Sequence, residues 1–309
     1  MLFEAERMAL QAAKAGRGTA QLSGQDLLLA IAVVAVWGTN FVVIRSGLDR
    51  IPPLLFASLR FLFVLLPAVF FLERPPVSWR NIAAYGLLGG AGQFGLLYLA
   101  MQGHIAPGLA SLVIQMQVFF TIGLAVPLAH ERVRPFQVAA LLVAIAGIVV
   151  IAAHTNLATT PEGLILVLLA ALCWAGANLL VKSSRAPNML AYIVWASLFA
   201  VPPLLALSVL TEGGSAILRG LAQAGWATWA AVLWQAAGNT LFGFAAWGWL
   251  LSRYPAASVT PLALLVPVFG MSAAALWLAE PLPAWKLLAA GLILGGLATN
   301  VFYPRWRQR

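Results

Sequence analysis

Residues 226–249 read WATWAAVLWQAAGNTLFGFAAWGW, and the reading of this stretch decides the fold. It carries no charge and is about long enough to cross a bilayer as one helix. Five of the twelve tryptophans lie in it. Trp226, Trp229, Trp247 and Trp249 fall near its ends, at the depth where amphipathic rings favour the headgroups. Trp234, Gln235, Gly238 and Asn239 fall deeper, where an amide is costly unless it finds a partner or lines a cavity. Gln235 and Asn239 are four apart and share one helix face, with Trp234 and Gly238 next to them. Two readings follow. Either that face holds a flat ligand, or its amides bridge helices and its glycines only allow close packing.

The rest of the chain agrees with a membrane span. Of its 309 residues 62% are hydrophobic and only 9% are charged, against roughly a quarter charged in a soluble domain. The protein is integral to a membrane. A single cysteine, Cys173, excludes an intramolecular disulfide. His104, His130 and His154 fall singly near span ends, so no His-based metal or catalytic site is expected. The net charge of +9 follows from how Lys and Arg are distributed across the membrane, not from a nucleic-acid partner. Residues 1–25 mix charges and lack an apolar core ahead of a small-residue cleavage site, so they are not a cleavable signal peptide.

Apolar windows broken by charges, prolines and glycines give ten spans: 27–44, 53–72, 82–102, 108–129, 136–153, 163–181, 189–210, 226–251, 257–278 and 285–302. With the N-terminus in the cytoplasm, the inner segments carry thirteen Lys or Arg and the outer segments four: Arg45, Arg50, Arg219 and Lys286. Only Arg60 lies inside a span. That bias fits the positive-inside rule with both termini in the cytoplasm. The expected organisation is a cytoplasmic tail 1–26, a five-helix unit 27–153, a second five-helix unit 163–302, and a basic tail 303–309.

The two units repeat one another. Trp37-Gly-Thr-Asn-Phe-Val-Val-Ile-Arg45 in the first span matches Trp174-Ala-Gly-Ala-Asn-Leu-Leu-Val-Lys182 in the sixth, with Trp and basic residue at one spacing. Pro107-Gly-Leu-Ala-Ser111 matches Tyr254-Pro-Ala-Ala-Ser258, and an acidic turn follows each, at Glu131 and at Glu280. Beyond each glutamate comes a glycine, Gly147 in one unit and Gly295 or Gly296 in the other. Five spans per unit is an odd number, so the units lie in the membrane with opposite orientation. The fold class is all-α, ten transmembrane helices as two inverted five-helix repeats.

These motifs resemble the EamA repeat of the drug/metabolite transporter superfamily over nearly the whole chain. Within it, the number and depth of the aromatic residues are most similar to the aromatic amino-acid exporters of the YddG type. The resemblance implies a pseudosymmetric bundle with a central cavity walled mainly by spans 1, 3, 4, 6, 8 and 9. It also implies export of aromatic or other neutral amino acids and related metabolites across a bacterial inner membrane.

The candidate binding residues are those that recur on the cavity side. At the offset from Glu131 to Glu280, Tyr85 falls opposite Trp234 and Gln93 opposite Phe242. Tyr85, Gly89 and Gln93 share one face of the third span. Trp37 shares a face with Asn40, and Trp174 with Asn178; these rings lie outside the headgroup belt. Gln115 and Gln117 are about 200° apart on a helix, so at most one of them points straight into the cavity. Gln115 is favoured, with Gln117 bridging helices. Trp37, Tyr85, Trp174 and Trp234 would enclose a side chain; Asn40, Gln93, Gln115, Asn178, Gln235 and Asn239 would bond the amino and carboxylate groups. Pro261 and Pro267 each remove a backbone donor from the ninth span and kink it. Arg60 is an intramembrane charge, functional by default. It pairs a substrate carboxylate, snorkels to the outer interface, or packs against Asp49.

None of the nine acidic residues lies near the middle of a span, where proton relays usually sit. Facilitated diffusion or exchange by alternating access is therefore expected, with Glu131 and Glu280 capping helix ends or forming turns. Nucleophile elbows, phosphate-binding loops and metal motifs are missing from the sequence, so the reading is no enzyme and no cofactor. The expected partners are a small amino acid-like substrate and the bilayer, with the protein a monomer. The alternatives are a permease of the same family for another solute, such as a nucleobase, a drug or a thiol metabolite, and a non-transporting membrane scaffold.

Overall fold

Side chains, rather than the edges of the apolar windows, set where the helices begin. Ser23, Ser78, Thr160 and Asn188 each accept a hydrogen bond from the backbone N–H three residues on, at Asp26, Asn81, Gly163 and Ala191. Each of these oxygens satisfies one of the donors that a helix start leaves unpaired. The computed structural model describes residues 22–129 and 133–306; Glu131, most of the N-terminal tail and the last three residues lie outside them.

Among the described residues, nine helical runs are long and apolar enough to cross a membrane. They are α1 (Gly24–Gly47), α2 (Pro53–Phe70), α3 (Trp79–Met101), α4 (Pro107–Pro127), α5 (Pro135–Ala153), α6 (Pro161–Ser184), α7 (Met189–Glu212), α9 (Thr260–Leu278) and α10 (Ala284–Tyr303). The tenth, α8 (226–253), is an unbroken helical run as well. Its amides and tryptophans lower its hydropathy, and for the same reason it carries polar groups into the bundle. A short helix, Gly214–Gln223, lies between α7 and α8.

The helices pack as two inverted units should. α5 lies along α10, α2 along α7, and α4 crosses α9; each of these pairs maps onto itself when the units exchange. The remaining main contacts come in mates: α1 with α9 and α6 with α4, then α3 with α6 and α8 with α1. Glycines allow the closest approaches. A Cβ on Gly147 would stand 2.9 Å from Ala289 O, and one on Gly296 would stand 2.5 Å from Ala140 O, a reciprocal contact between α5 and α10. Gly296, not Gly295, is therefore the mate of Gly147.

The two-fold is not exact. α1 packs against both α4 and α9, whereas among the described residues α6 has a comparable contact with α4 and no main contact with α9. The cavity described below opens beside α6.

Candidate functional site

Regular α-helix fails at equivalent depths in both units. α3 passes through a π-turn at Gly86–Gly92 and α8 through one at Trp234–Phe242; α4 tightens to a 3₁₀ turn at Ile114–Met116 and α9 at Thr260–Leu265. Such turns change which carbonyls are satisfied, and π-turns occur often at functional sites.

Two carbonyls of the second unit accept from side chains of the first. In α8 the Gly243 N–H reaches Gly238 O, five residues back, so Asn239 O loses the donor that an α-turn would give it. Trp37 Nε1–H donates to that oxygen at 3.1 Å. In α9 Pro267 has no N–H for Ala263 O; that oxygen takes the Val266 N–H of the 3₁₀ turn instead, and Gln115 Nε2 donates to it as well, at 3.5 Å.

The Trp37–Asn40 face of α1 meets the Gln235–Asn239 face of α8. Gln235 Nε2 donates to Asn40 Oδ1 at 2.7 Å, and Tyr98 OH donates to Gln235 Oε1 at 2.9 Å. Arg60 joins from α2. Its guanidinium donates to the same Gln235 Oε1 at 3.2 Å and to Thr240 Oγ1 at 2.9 Å, and it lies 3.7 Å above the Phe94 ring. Arg60 and Gln235 are both 0% exposed. Gln235 of the α8 face therefore bridges helices here, which is the second of the two readings of that face.

The open space lies elsewhere. A cavity of about 920 Å³ is lined by Gln117, Val118, Thr121, Ile122 and Val126 of α4, Val133, Arg134, Phe136 and Gln137 around the start of α5, Asn178 of α6 and Asn300 of α10. Its walls belong to α4, α5, α6 and α10, not to the six helices expected, because the bundle is parted beside α6. Asn178 Nδ2 donates to Gln117 Oε1 at 2.7 Å and to Thr121 Oγ1 at 3.3 Å. Asn300 Oδ1 is buried without a hydrogen-bond partner, leaving an acceptor to be satisfied.

Several expected site residues change place. Gln117, expected as a bridge, lines the cavity while bonding Asn178; Gln115, the favoured residue, is buried and holds Ala263 O. Trp234 does not join the amides: its ring packs on Gly238 and stays 41% exposed, because a neighbour in sequence points off the buried face. Tyr85 sits beside Gly89 as expected, with its ring 4.8 Å from that of Tyr192, between α3 and α7. Gln93 is buried where the π-turn of α3 ends. Trp174 packs against the main apolar core, one turn before Asn178. Tyr98, Thr121, Gln137, Thr240 and Asn300 went unread, although a mid-span amide such as Asn300 carries the same signal that singled out Asn40.

The carboxylates at the outer ends of the helices are occupied. Glu280 accepts from Gly108 N–H at 3.0 Å and from Lys286 Nζ at 2.9 Å. Glu212 accepts from the N–H groups of Leu54 and Leu55 at 2.6 and 3.2 Å. Both satisfy donors at a helix start, where negative charge is favoured. Arg45 pairs with Asp49 at 2.5 Å.

The chain matches the model of the EamA-like transporter family over residues 26–153 and 161–302. It is 41% identical over 293 residues to a Salmonella typhimurium protein and 39% identical over the same length to one from Escherichia coli, each named "Probable amino-acid metabolite efflux pump". Each alignment covers 93% of this chain and 98% of the relative. A solved crystal structure superposes with a TM-score of 0.62 at 21% identity, covering 93% of this chain and 100% of the other. At that identity the likeness concerns the fold.

Proposed function

The chain belongs to the EamA-like transporter family, and from that premise we propose that it exports neutral, preferably aromatic, amino acids across the bacterial inner membrane by alternating access. The two repeats, 27–153 and 163–302, rock against one another, with both termini on the cytoplasmic side.

The observation that carries this reading is the lining of the 920 Å³ cavity, a volume in the range of small-molecule sites. One wall is apolar, with Val118, Ile122, Val126 and Phe136 suited to a side chain. The other offers uncharged donors and acceptors from Gln117, Thr121, Asn178 and Asn300; among the described residues Arg134 is the one cation of the lining, and no carboxylate joins it. A zwitterion with an apolar side chain matches that division, and its zero net charge keeps the electrical work of crossing the membrane small. The cavity reaches Arg134 in the loop between α4 and α5, the end that the positive-inside rule assigns to the cytoplasm. On this reading the cavity is the inward-facing vestibule of the cycle, with substrate entering beside α6.

Transport is facilitative. The described carboxylates Asp26, Asp49, Glu73, Glu162, Glu212 and Glu280 stand at helix ends or in the connections between helices, and Glu212 and Glu280 are held by helix starts. The test is flux through proteoliposomes with labelled Phe, Trp, Met, Thr and adenine, with and without a pH gradient. Saturable flux of Phe and Trp that ignores the gradient is expected. Flux confined to adenine would reject the substrate class, and flux that requires the gradient would reject the mechanism.

A further inference from the structure

Arg60 carries a guanidinium, five N–H donors and no acceptor, and it is fully buried in the bundle. Two ordinary accounts of such a residue fail on geometry. It does not snorkel, since it is 0% exposed. It does not pair with Asp49, which is held by Arg45. Among the described residues no carboxylate lies within ion-pair distance of it. Its hydrogen-bond partners are Gln235 Oε1, Thr240 Oγ1 and Tyr98 OH, all neutral, and its Nε has none.

From this we propose that Arg60 is a carboxylate station in the outer half of the transport path, closed here by neutral stand-ins and taken by the α-carboxylate of the substrate when the outer side opens. The proposal rests on the amino-acid reading above and extends it.

The division of the cluster between the two units is the reason. Arg60, Asn40 and Tyr98 belong to the first unit, and Gln235 and Thr240 to the second. Rocking the units apart removes two of the three oxygens on which the guanidinium N–H groups rely, Gln235 Oε1 and Thr240 Oγ1, and leaves the charge at membrane depth with only Tyr98 OH, which is costly. A carboxylate replaces both at once, because its two oxygens match the fork of a guanidinium. Tyr98, released from Gln235, can turn its hydroxyl to the same anion. Phe94, across the guanidinium face at 3.7 Å, keeps the fork oriented through the exchange. An uncharged ligand cannot make that replacement, so the empty transporter is held shut on the outside and the loaded one is not.

The experiment compares Phe with phenylalaninamide, which keeps the ring and the amine but has no carboxylate. Flux is measured in proteoliposomes at zero membrane potential, in wild type, Arg60→Gln and Arg60→Lys. In wild type the half-saturating concentration for Phe should lie roughly 10- to 100-fold below that for the amide, the range expected of a hydrogen-bonded charged group. Arg60→Gln should lose this preference, and Arg60→Lys should keep part of it. The wild-type comparison stands even if a variant fails to fold. Equal handling of Phe and amide by wild type would overturn the carboxylate station and leave the amino-acid transporter intact; flux of neither would overturn both. Flux of both that depends on chloride would assign Arg60 to an inorganic anion and overturn the proposal.

Discussion

Lys286→Met should cost far more stability than a lost surface charge. The side chains of Lys286 and Glu280 are 7% and 8% exposed, and their charged atoms lie 2.9 Å apart. Glu280 also accepts from Gly108 N–H, so it is fixed and cannot swing out to water. Removing the lysine leaves a carboxylate in place with one backbone donor and no cation. A buried pair broken on one side typically loses about 3–5 kcal/mol. Glu280→Gln strands the ammonium in the same way, although the amide oxygen can still cap Gly108. The double variant removes both charges and keeps the cap, and replacement of a whole buried pair is often close to neutral. The two single losses should therefore not add, with a coupling of about 2–4 kcal/mol. Equilibrium unfolding in mixed micelles of mild detergent and SDS, followed by tryptophan fluorescence, gives the three differences. Additive effects, or single losses below about 1 kcal/mol as for exposed pairs, would refute the reasoning.

Three further outcomes follow from the same geometry. Trp37→Phe leaves Asn239 O without its donor, so it should destabilise the protein by about 1–3 kcal/mol in the same titration. Pro267→Ala restores an N–H for Ala263 O and competes with Gln115 for it; turnover in proteoliposomes should fall while the unfolding midpoint holds or rises. Asn178→Leu removes the amide that faces the cavity and ties it to Gln117 and Thr121, and should raise the half-saturating Phe concentration roughly tenfold with the fold preserved.

The spans were legible because hydropathy over twenty residues depends little on detail. Their ends moved by a few residues where Ser23, Ser78 and Thr160 start helices outside the apolar windows. The Trp37–Asn40 and Gln235–Asn239 faces were each legible, since mid-span polar or indole groups must find partners, but that they meet one another came only from the structure. What periodicity could not show was the breaks in periodicity. The π-turn over Trp234–Phe242 frees Asn239 O for Trp37; a pattern scored at 3.6 residues per turn contains no sign of it. The exchange of roles between Gln115 and Gln117 has a similar origin, because the 3₁₀ turn at Ile114–Met116 lies beside both. The place of the cavity depends on how the two units pack against one another, and neither unit's sequence encodes that alone. Asn300 and Arg134 became site residues only because α10 and the start of α5 form its walls.

The most direct test of the account is whether substrate occupies the cavity beside α6. Thr121→Cys in a Cys173→Ser background places one thiol on its wall. A membrane-impermeant thiol reagent is applied to sealed vesicles from either face, with and without Phe. The account predicts labelling from the cytoplasmic face that saturating Phe slows, while phenol, which lacks both charged groups, does not. Labelling from the outer face alone, or labelling that Phe leaves unchanged in a protein that still transports Phe, would contradict it.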